Sequence, residues 1–485
     1  MKTLNILIAL VFSIFVLNTN AFSQDADAMQ KQIDELENQI QDLTIKMKGV
    51  NKKTAKIDDA PKFKIGPGFS VKHGNKSFKV HGRMHWDVGY YGEVKDQDVY
   101  GSGTNIRRAR LGFKGKADDF SFTATFDKGS SAKAASDVAD QTSIDEIHFS
   151  YHPTKTMKLS IGKLKMPMYF EEAISSNDLS FIERSVAIDI FSDKQFGPKR
   201  PAIRFTTYDK KLGYFFGVAH GFGPENKIDN KDGNKLNTIR AAFAPVLSKT
   251  EVVHFGAWGA TVDFGGGYAA SLCKLEYRAE LNVTDAKPLK TSAIHSGNNV
   301  CEGAQHYGLE AAYLGQGGQF WALGEYTDYT AFRSGVDGAE VPDYQADSST
   351  FSMGYVLNGK KRYDIKKAAF KAPKVKGKWP NKGSGVWEIA TRYSHVDMDD
   401  NGSSLILGGV MDNYTLGLNW YINGNAMIKA NYIRSIMNNK AAQNAGATSA
   451  SLNGGGASTD IYGMRCLLYT SDAADEGLGV DLGGR

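Results

Sequence analysis

After Leu17 the sequence has no run of about 18 apolar residues, which excludes a protein crossing an inner membrane with helices. No cysteine follows the small-residue site Ala21-Phe22-Ser23, so a lipid-anchor signature is missing. There is no GxSxG elbow, no HExxH pair and no zinc-ligand spacing, which leaves a hydrolase without machinery. The segment GSGT at Gly101 to Thr104 lacks the Gly-Lys-Ser/Thr of a phosphate-binding loop, so nucleotide binding has no support either. Cysteine is scarce, with three in 485 residues. Periodic helical segments are almost as rare.

What is present begins with a secretion signal over residues 1–23: Lys2, an apolar run from Leu4 to Leu17, then the small-residue site. The chain is therefore exported. Residues 24–50 follow a short heptad seam through Met29, Ile33, Leu36, Ile40, Leu43, Met47 and Val50. This predicts a short coiled-coil helix accessory to an oligomer built elsewhere, or an amphipathic helix lying on the domain. Residues 51–76 read as a Lys-rich linker.

From residue 77 to 465 the pattern is short alternation with a period of two. Phe78, Val80, Met84, Trp86, Val88 and Tyr90 share one face, and Lys79, His81, Arg83, His85 and Asp87 the other. Phe120, Phe122, Ala124 and Phe126 oppose Ser121, Thr123 and Thr125; Trp387, Ile389 and Tyr393 oppose Glu388, Arg392 and Ser394. A soluble sandwich also alternates, but its apolar faces must fill one core. Here there are too many apolar faces and too few helices to cover them. The fold class expected is all-β, a 16-stranded antiparallel transmembrane β-barrel whose greasy faces meet outer-membrane lipid. Short links such as Asp118-Asp119 and Pro153 to Thr156 alternate with long ones, as periplasmic turns alternate with outer loops.

The last twenty residues, 466–485, break this pattern and read as the translation of a transposase-type sequencing adapter, a non-native tail. They carry four acids and one base, so the net charge of +5 becomes +8 without them. Two cysteines then remain, Cys273 and Cys301, an even count that suits either a disulfide or two free thiols.

In TNIRRARLGFKGK, Arg108, Arg110, Lys114 and Lys116 share the face opposite Leu111 and Phe113. By the same parity Arg83, Arg204, Arg240 and Arg392 face the lumen. Arg107 falls on the apolar parity, and Arg278 lies in a long segment expected to fold inward. Ten cations stand between residues 360 and 382: Lys360, Lys361, Arg362, Lys366, Lys367, Lys371, Lys374, Lys376, Lys378 and Lys382. Strand parity puts that run on the periplasmic side, as a vestibule or a plain solvated loop. His81, His85 and His148 face the lumen as polar lining.

Several segments together resemble the phosphate-selective porin O and P family: RRARLGFKG from Arg107, GKLKMPMYFEEAISSNDLSFIERS from Gly162, WEIATRYSHVDM from Trp387 and LGLNWYIN from Leu416. The resemblance runs from about Phe78 to Arg465. It implies a homotrimer in the outer membrane of a Gram-negative bacterium, each barrel a water-filled anion pore with an arginine ladder and a lysine-rich periplasmic region. Phosphate, pyrophosphate or polyphosphate are the solutes it implies, with no cofactor, no metal, no enzymatic activity and no nucleic acid. A weakly selective diffusion porin is the alternative; an outer-membrane barrel hydrolase is the rival from another class. The segment Leu164 to Arg200 resembles the family's constriction loop, with Lys165, Glu171, Glu172, Asp178 and Glu183 as its charged residues. It departs from the phosphate-specific branch in having no cation near Ser175 to Asp178.

Overall fold

The computed structural model describes residues 26–53, 61–65, 68–92, 101–130, 142–192, 196–223, 235–264, 274–284, 287–291, 294, 299–335, 338–375, 383–400, 406–438 and 457–470. Residues 1–61 form one unit and residues 62–485 another. In the first, helix α1 (Ala26–Lys53) carries the expected heptad pattern, and Leu36, Ile40 and Leu43 on its seam are exposed.

The second unit is the barrel. It opens with a hairpin, β1 (Lys62–Ile65) and β2 (Phe69–His73), inside the stretch expected to be linker. Phe63, Ile65, Phe69 and Val71 alternate with polar residues there, enough to continue the edge of the strand that follows. The wall then runs through β3 (Lys76–Tyr91), β4 (Gly103–Ala117), β5 (Phe120–Asp127), β6 (Ser143–Tyr151), β7 (Met157–Lys165), β8 (Lys199–Asp209) and β9 (Tyr214–Gly221). It continues with β10 (Lys235–Leu247), β11 (Val252–Asp263) and, after the small hairpin β12 (Glu276–Tyr277) and β13 (Leu289–Lys290), β14 (Asn299–Gly315). Next come β15 (Phe320–Gly335) and β16 (Tyr344–Val356), then a third hairpin, β17 (Arg362–Asp364) and β18 (Ala369–Lys371). The wall ends with β19 (Val386–Asp397), β20 (Val410–Tyr421), β21 (Ala426–Asn438) and β22 (Ala457–Tyr469).

Setting aside the three hairpins, sixteen strands pair antiparallel with their chain neighbours. β22 returns to β3 in register from Ile461–Tyr91 to Tyr469–Arg83 and closes the cylinder. Closure removes every free edge over that length, which lipid requires because it offers no partner for an open one. Cys466 to Tyr469, expected to lie outside the barrel, are the last residues of this closing strand, and Thr470 N–H donates to Gly82 C=O at 2.9 Å. They continue the alternation of β22, so the barrel runs to Tyr469 rather than Arg465.

The side-chain pattern is inverted relative to a soluble protein. In β19, Glu388, Arg392 and Ser394 are fully buried while Ile389 is 44% exposed. In β10, Arg240 is buried and Phe243 is 52% exposed. Apolar residues face outward along the strands, as an outer-membrane wall requires.

Three segments fold into the lumen. The β7–β8 connection carries α2 (Phe170–Ala173) and α3 (Val186–Phe191), with Phe170, Phe181, Ile182, Val186 and Phe191 buried. The β11–β14 connection brings Leu281 inward, and the β17–β18 hairpin brings Phe370. Close approach is possible because Gly89 and Gly463 face each other across the closing pair. A Cβ on Gly89 would stand 2.5 Å from Val283, and one on Gly463 would stand 2.9 Å from Leu281.

Candidate functional site

The β7–β8 loop is held mainly by the wall from β14 to β22 and touches the opposite wall through a few side chains of β3 and β4. Its irregular backbone sits at membrane depth, so its carbonyls need donors from protein. The wall from β14 to β22 supplies them strand by strand. Asn419 Nδ2 donates to Ser180 C=O at 2.8 Å, Lys429 Nζ to Leu179 C=O at 2.5 Å, and Arg465 Nη1 to Ile182 C=O. Arg392 Nη1 donates to Glu183 C=O at 3.1 Å, and Ser348 Oγ to Ala187 C=O at 2.6 Å. In return Glu325 accepts from the backbone N–H groups of Phe170 and Glu171, and Tyr169 OH meets His306 Nδ1 at 2.9 Å.

The described acids of the loop are all engaged. Glu171 pairs with Arg392 at 3.3 Å and accepts from Ser185. Glu172 lies 2.8 Å from both Lys165 and Arg184. Asp178 Oδ1 accepts from Ala372 N–H at 3.0 Å. Glu183 pairs with Arg107 at 2.9 Å and with Arg465. Burial pushes the Glu172 carboxyl up, but Arg184 and Lys165 outweigh it and hold the group below the ordinary range. For Glu183 the same contest against Arg107, Arg465 and Arg108 ends well below that range.

Arg240 and Arg392, expected to present charge to a solute, serve instead as clamps. Arg240 donates to Glu310 and to the carbonyls of Lys367 and Ala368, fixing the β17–β18 hairpin. Arg392 binds Glu171 and Glu280, and lies 4.4 Å over the Phe181 ring. The reason is the same in both cases: a buried guanidinium must be paired, and the inward loops bring the acceptors.

The lysine-rich segment is similarly divided. Lys361 is buried and pairs with Glu388 at 2.8 Å, and Lys371 lies 3.6 Å from Asp364. Arg362 Nε donates to Ala372 C=O at 2.8 Å. Lys360, Lys366, Lys367 and Lys374 are exposed, whereas Lys376, Lys378 and Lys382 lie outside the described residues. Arg278 is half-buried. Cys301 is disulfide-bonded, Cys466 is a free thiol, and Cys273 lies outside the described residues.

Cations also crowd the facing wall, β3 to β9. Register sets Lys79 opposite Lys114 and Arg83 opposite Arg110, like charges that cost stability in an ordinary sheet. A β-bulge between the His85–Arg108 and Trp86–Ile106 pairs makes Arg107 the extra residue, which turns it inward to reach Glu183. A second bulge makes Asp145 extra. It pairs with Arg110 at 2.7 Å and Lys199 at 2.6 Å, and Asp127 takes Arg110 at 2.6 Å. Arg108, Lys158 and Arg204 have no carboxylate partner among the described residues; Arg204 Nη1 donates only to Lys165 C=O, at 2.6 Å. Arg83 Nη1 donates to Ser176 Oγ at 3.0 Å, so the wall brings a cation to the stretch of the loop that has none of its own.

Sequence reading missed Arg465, Lys429, Glu280 and Glu388. Lumen parity marks the two cations and Glu388. Nothing marks Glu280, which sits in an irregular segment yet reaches Arg392, Ser394 and Thr415.

The family model for phosphate-selective porin O and P matches residues 78–467. The chain belongs to that family. As a member of the porin O and P family, it is an outer-membrane anion porin of a Gram-negative cell. Porin O of Pseudomonas aeruginosa is 24% identical over 388 residues, spanning 74% of this chain and 83% of that protein. Among solved structures, the anion-selective porin from Comamonas acidovorans is 14% identical, with a TM-score of 0.47 over 81% of this chain and 100% of that one. The trimer form of OmpT, an outer membrane protein of Vibrio cholerae, is 12% identical, with a TM-score of 0.48 over 82% of this chain and 100% of that one.

Proposed function

We propose that this porin O and P family member is a passive conduit for small inorganic oxyanions of the phosphate class, and that it makes and breaks no bonds. The cationic wall from β3 to β9 is the path. The observation that carries this reading is the contrast between the walls. On one, Arg392 and Arg465 are consumed by carboxylates and loop carbonyls. On the other, Arg108, Lys158 and Arg204 form no ion pair with a carboxylate among the described residues.

Rings and rows of cations are how anion pores select. Two unit charges about 4 Å apart interact by roughly 4 kcal/mol at an effective dielectric of 20, against about 1 in bulk water. Low-dielectric walls focus that field on a passing ion. Several sites in series hold an anion without trapping it, and the guanidinium fork suits phosphate oxygens. Glu171, Glu172, Asp178 and Glu183 do not cancel this field as a weakly selective pore would require, because each is already spent on an anchor. The assembly we propose is a homotrimer, with the exposed heptad seam of α1 as an accessory contact.

The test is the reversal potential of the purified protein in planar bilayers across a potassium chloride gradient. Chloride permeability above potassium is expected, with added phosphate lowering the chloride current. Potassium permeability above chloride would refute the reading.

A further inference from the structure

We propose that the β17–β18 hairpin is a voltage-driven gate, a cationic arm that the membrane field moves between a position clamped to the wall and one that obstructs the bore. This rests on the barrel being a conducting pore, whichever ion it prefers. Residues 210–213, 248–251 and 422–425 show how little chain a link at this end of the barrel needs. The link from β16 to β19 takes residues 357–385 instead, and its hairpin turns into the lumen. Loops of that length in a compact fold usually serve a function of their own. From Arg362 to Lys371 the hairpin carries four cations, Arg362, Lys366, Lys367 and Lys371, against one acid, Asp364, a net of +3.

The arm is rooted between β16 and β19 and held on another stretch of the wall. Arg240 of β10 donates to the carbonyls of Lys367 at 2.8 Å and Ala368 at 2.7 Å, and Tyr363 OH meets His254 Nδ1 of β11 at 2.7 Å. Lys366 Nζ stands 5.9 Å over the Tyr208 ring of β8. The apolar part of this contact is small, Ile365 and Ala368 against Phe215 and Ala242, and Lys366 and Lys367 beside it are exposed. Ala368 has a φ of +47°, a left-handed conformation that a residue with a Cβ resists. The grip of Arg240 on the two carbonyls imposes that turn, so letting go relaxes it. The clamped state is thus held by a few bonds and opposed by local strain. A net charge in the membrane field is pulled in proportion to its size and to the share of the field it crosses. One sign of voltage draws a cationic arm rooted at one end of the bore farther in, and the other expels it.

The experiment uses the full-length protein inserted from one side of a planar bilayer, and reads the closed-to-open ratio of single channels at voltages of both signs. Wild type should close at one sign only. Lys366→Gln combined with Lys367→Gln cuts the net charge of the arm from +3 to +1. The steepness of the ratio against voltage should then fall about threefold. Arg240→Met takes two donors from the tip and should raise the ratio at a given voltage about tenfold without changing its steepness. Ala368→Gly accepts the left-handed turn and should lower the ratio about fivefold. Closure of equal extent at both signs would overturn the proposal, as would wild-type steepness in the double lysine variant. So would the lack of any closure, at either sign, in both wild type and Arg240→Met. Potassium permeability above chloride would instead refute the anion path and leave the gate standing.

Discussion

Arg465 on β22 grips Asp87 on β3 across the barrel closure, with Nε to Oδ1 and Nη2 to Oδ2 both at 2.6 Å. Neither side chain has any exposed surface, and the two residues are register partners of the β22–β3 pair. The forked geometry is the strong form of a charge-assisted bond, and it sits where the cylinder shuts.

Breaking a buried pair by removing one partner leaves an uncompensated charge and costs about 3–5 kcal/mol. Arg465→Met is therefore expected to unfold at clearly lower urea than wild type, followed by the gel shift between folded and unfolded barrel. The control is Arg434→Met. Arg434 meets Asp460 at 2.8 Å, but their side chains are 40% and 35% exposed. Solvent-screened pairs of this kind are worth about 0–1 kcal/mol, so the urea midpoint should hardly move.

Arg108 and Arg240 both face the lumen by strand parity, yet they should behave differently. Arg108→Ala removes a cation with no counter-carboxylate and is expected to lower chloride-over-potassium permeability about fivefold or more, in line with roughly 1 kcal/mol or more of lost attraction. Arg240→Met should leave that ratio near wild type and lower stability instead, because it takes the guanidinium from Glu310, leaving His254 beside it, and strips two hairpin carbonyls of their donor. Reversal potentials read the first effect and urea titration the second. Equal loss of selectivity in both variants would show that pairing does not decide which cations a solute meets.

That contrast marks the limit of what the sequence discloses. Period-two alternation is a local property, so the strands and the inside-out pattern of β10 and β19 were legible from residue types alone. Whether a lumen guanidinium meets solute or a loop carbonyl depends on where an irregular segment lands, hundreds of residues away; Arg392 and Glu171 are 221 positions apart. Arg107 was ambiguous for a different reason. A bulge changes parity by one residue, and no pattern of apolar spacing reports an inserted residue. The hairpin Lys62–His73 was read as linker because three lysines and a histidine dilute its short alternation.

Acid should loosen the β7–β8 loop. Glu172 and Glu183 titrate below the ordinary glutamate value of 4.5 when folded, each held down by the cations beside it against the pull of burial. A depressed folded value means the native state binds fewer protons than the unfolded one, so stability falls as pH falls. The contribution is complete above about pH 4.5 and is lost progressively toward the depressed values. Open-channel noise, or protease cleavage within residues 166–198, is expected to stay flat from pH 7 to 5 and rise below about pH 4.5. Glu172→Gln should show the raised signal already at pH 7 and a flatter pH profile.

Glu183 ties the loop to both walls at once, through Arg107 of β4 and Arg465 of β22. Neutralising it does two separable things. The loop loses an anchor, which widens the passage it narrows, so single-channel conductance should rise. Arg107 also loses its only carboxylate among the described residues and becomes a further cation on the conducting wall. Glu183→Gln is therefore expected to raise conductance and, unlike a simple widening, to raise chloride-over-potassium permeability as well. Widening alone weakens selectivity, because ions then pass farther from the wall charges and a Debye length of about 8 Å at physiological salt screens them. The double variant Glu183→Gln with Arg107→Gln removes the freed charge while keeping the loosened loop. Its conductance should stay high and its selectivity fall below that of the single variant. If the two variants share one selectivity, Arg107 does not face the conducting path, and the inward turn of the β4 bulge has no bearing on permeation.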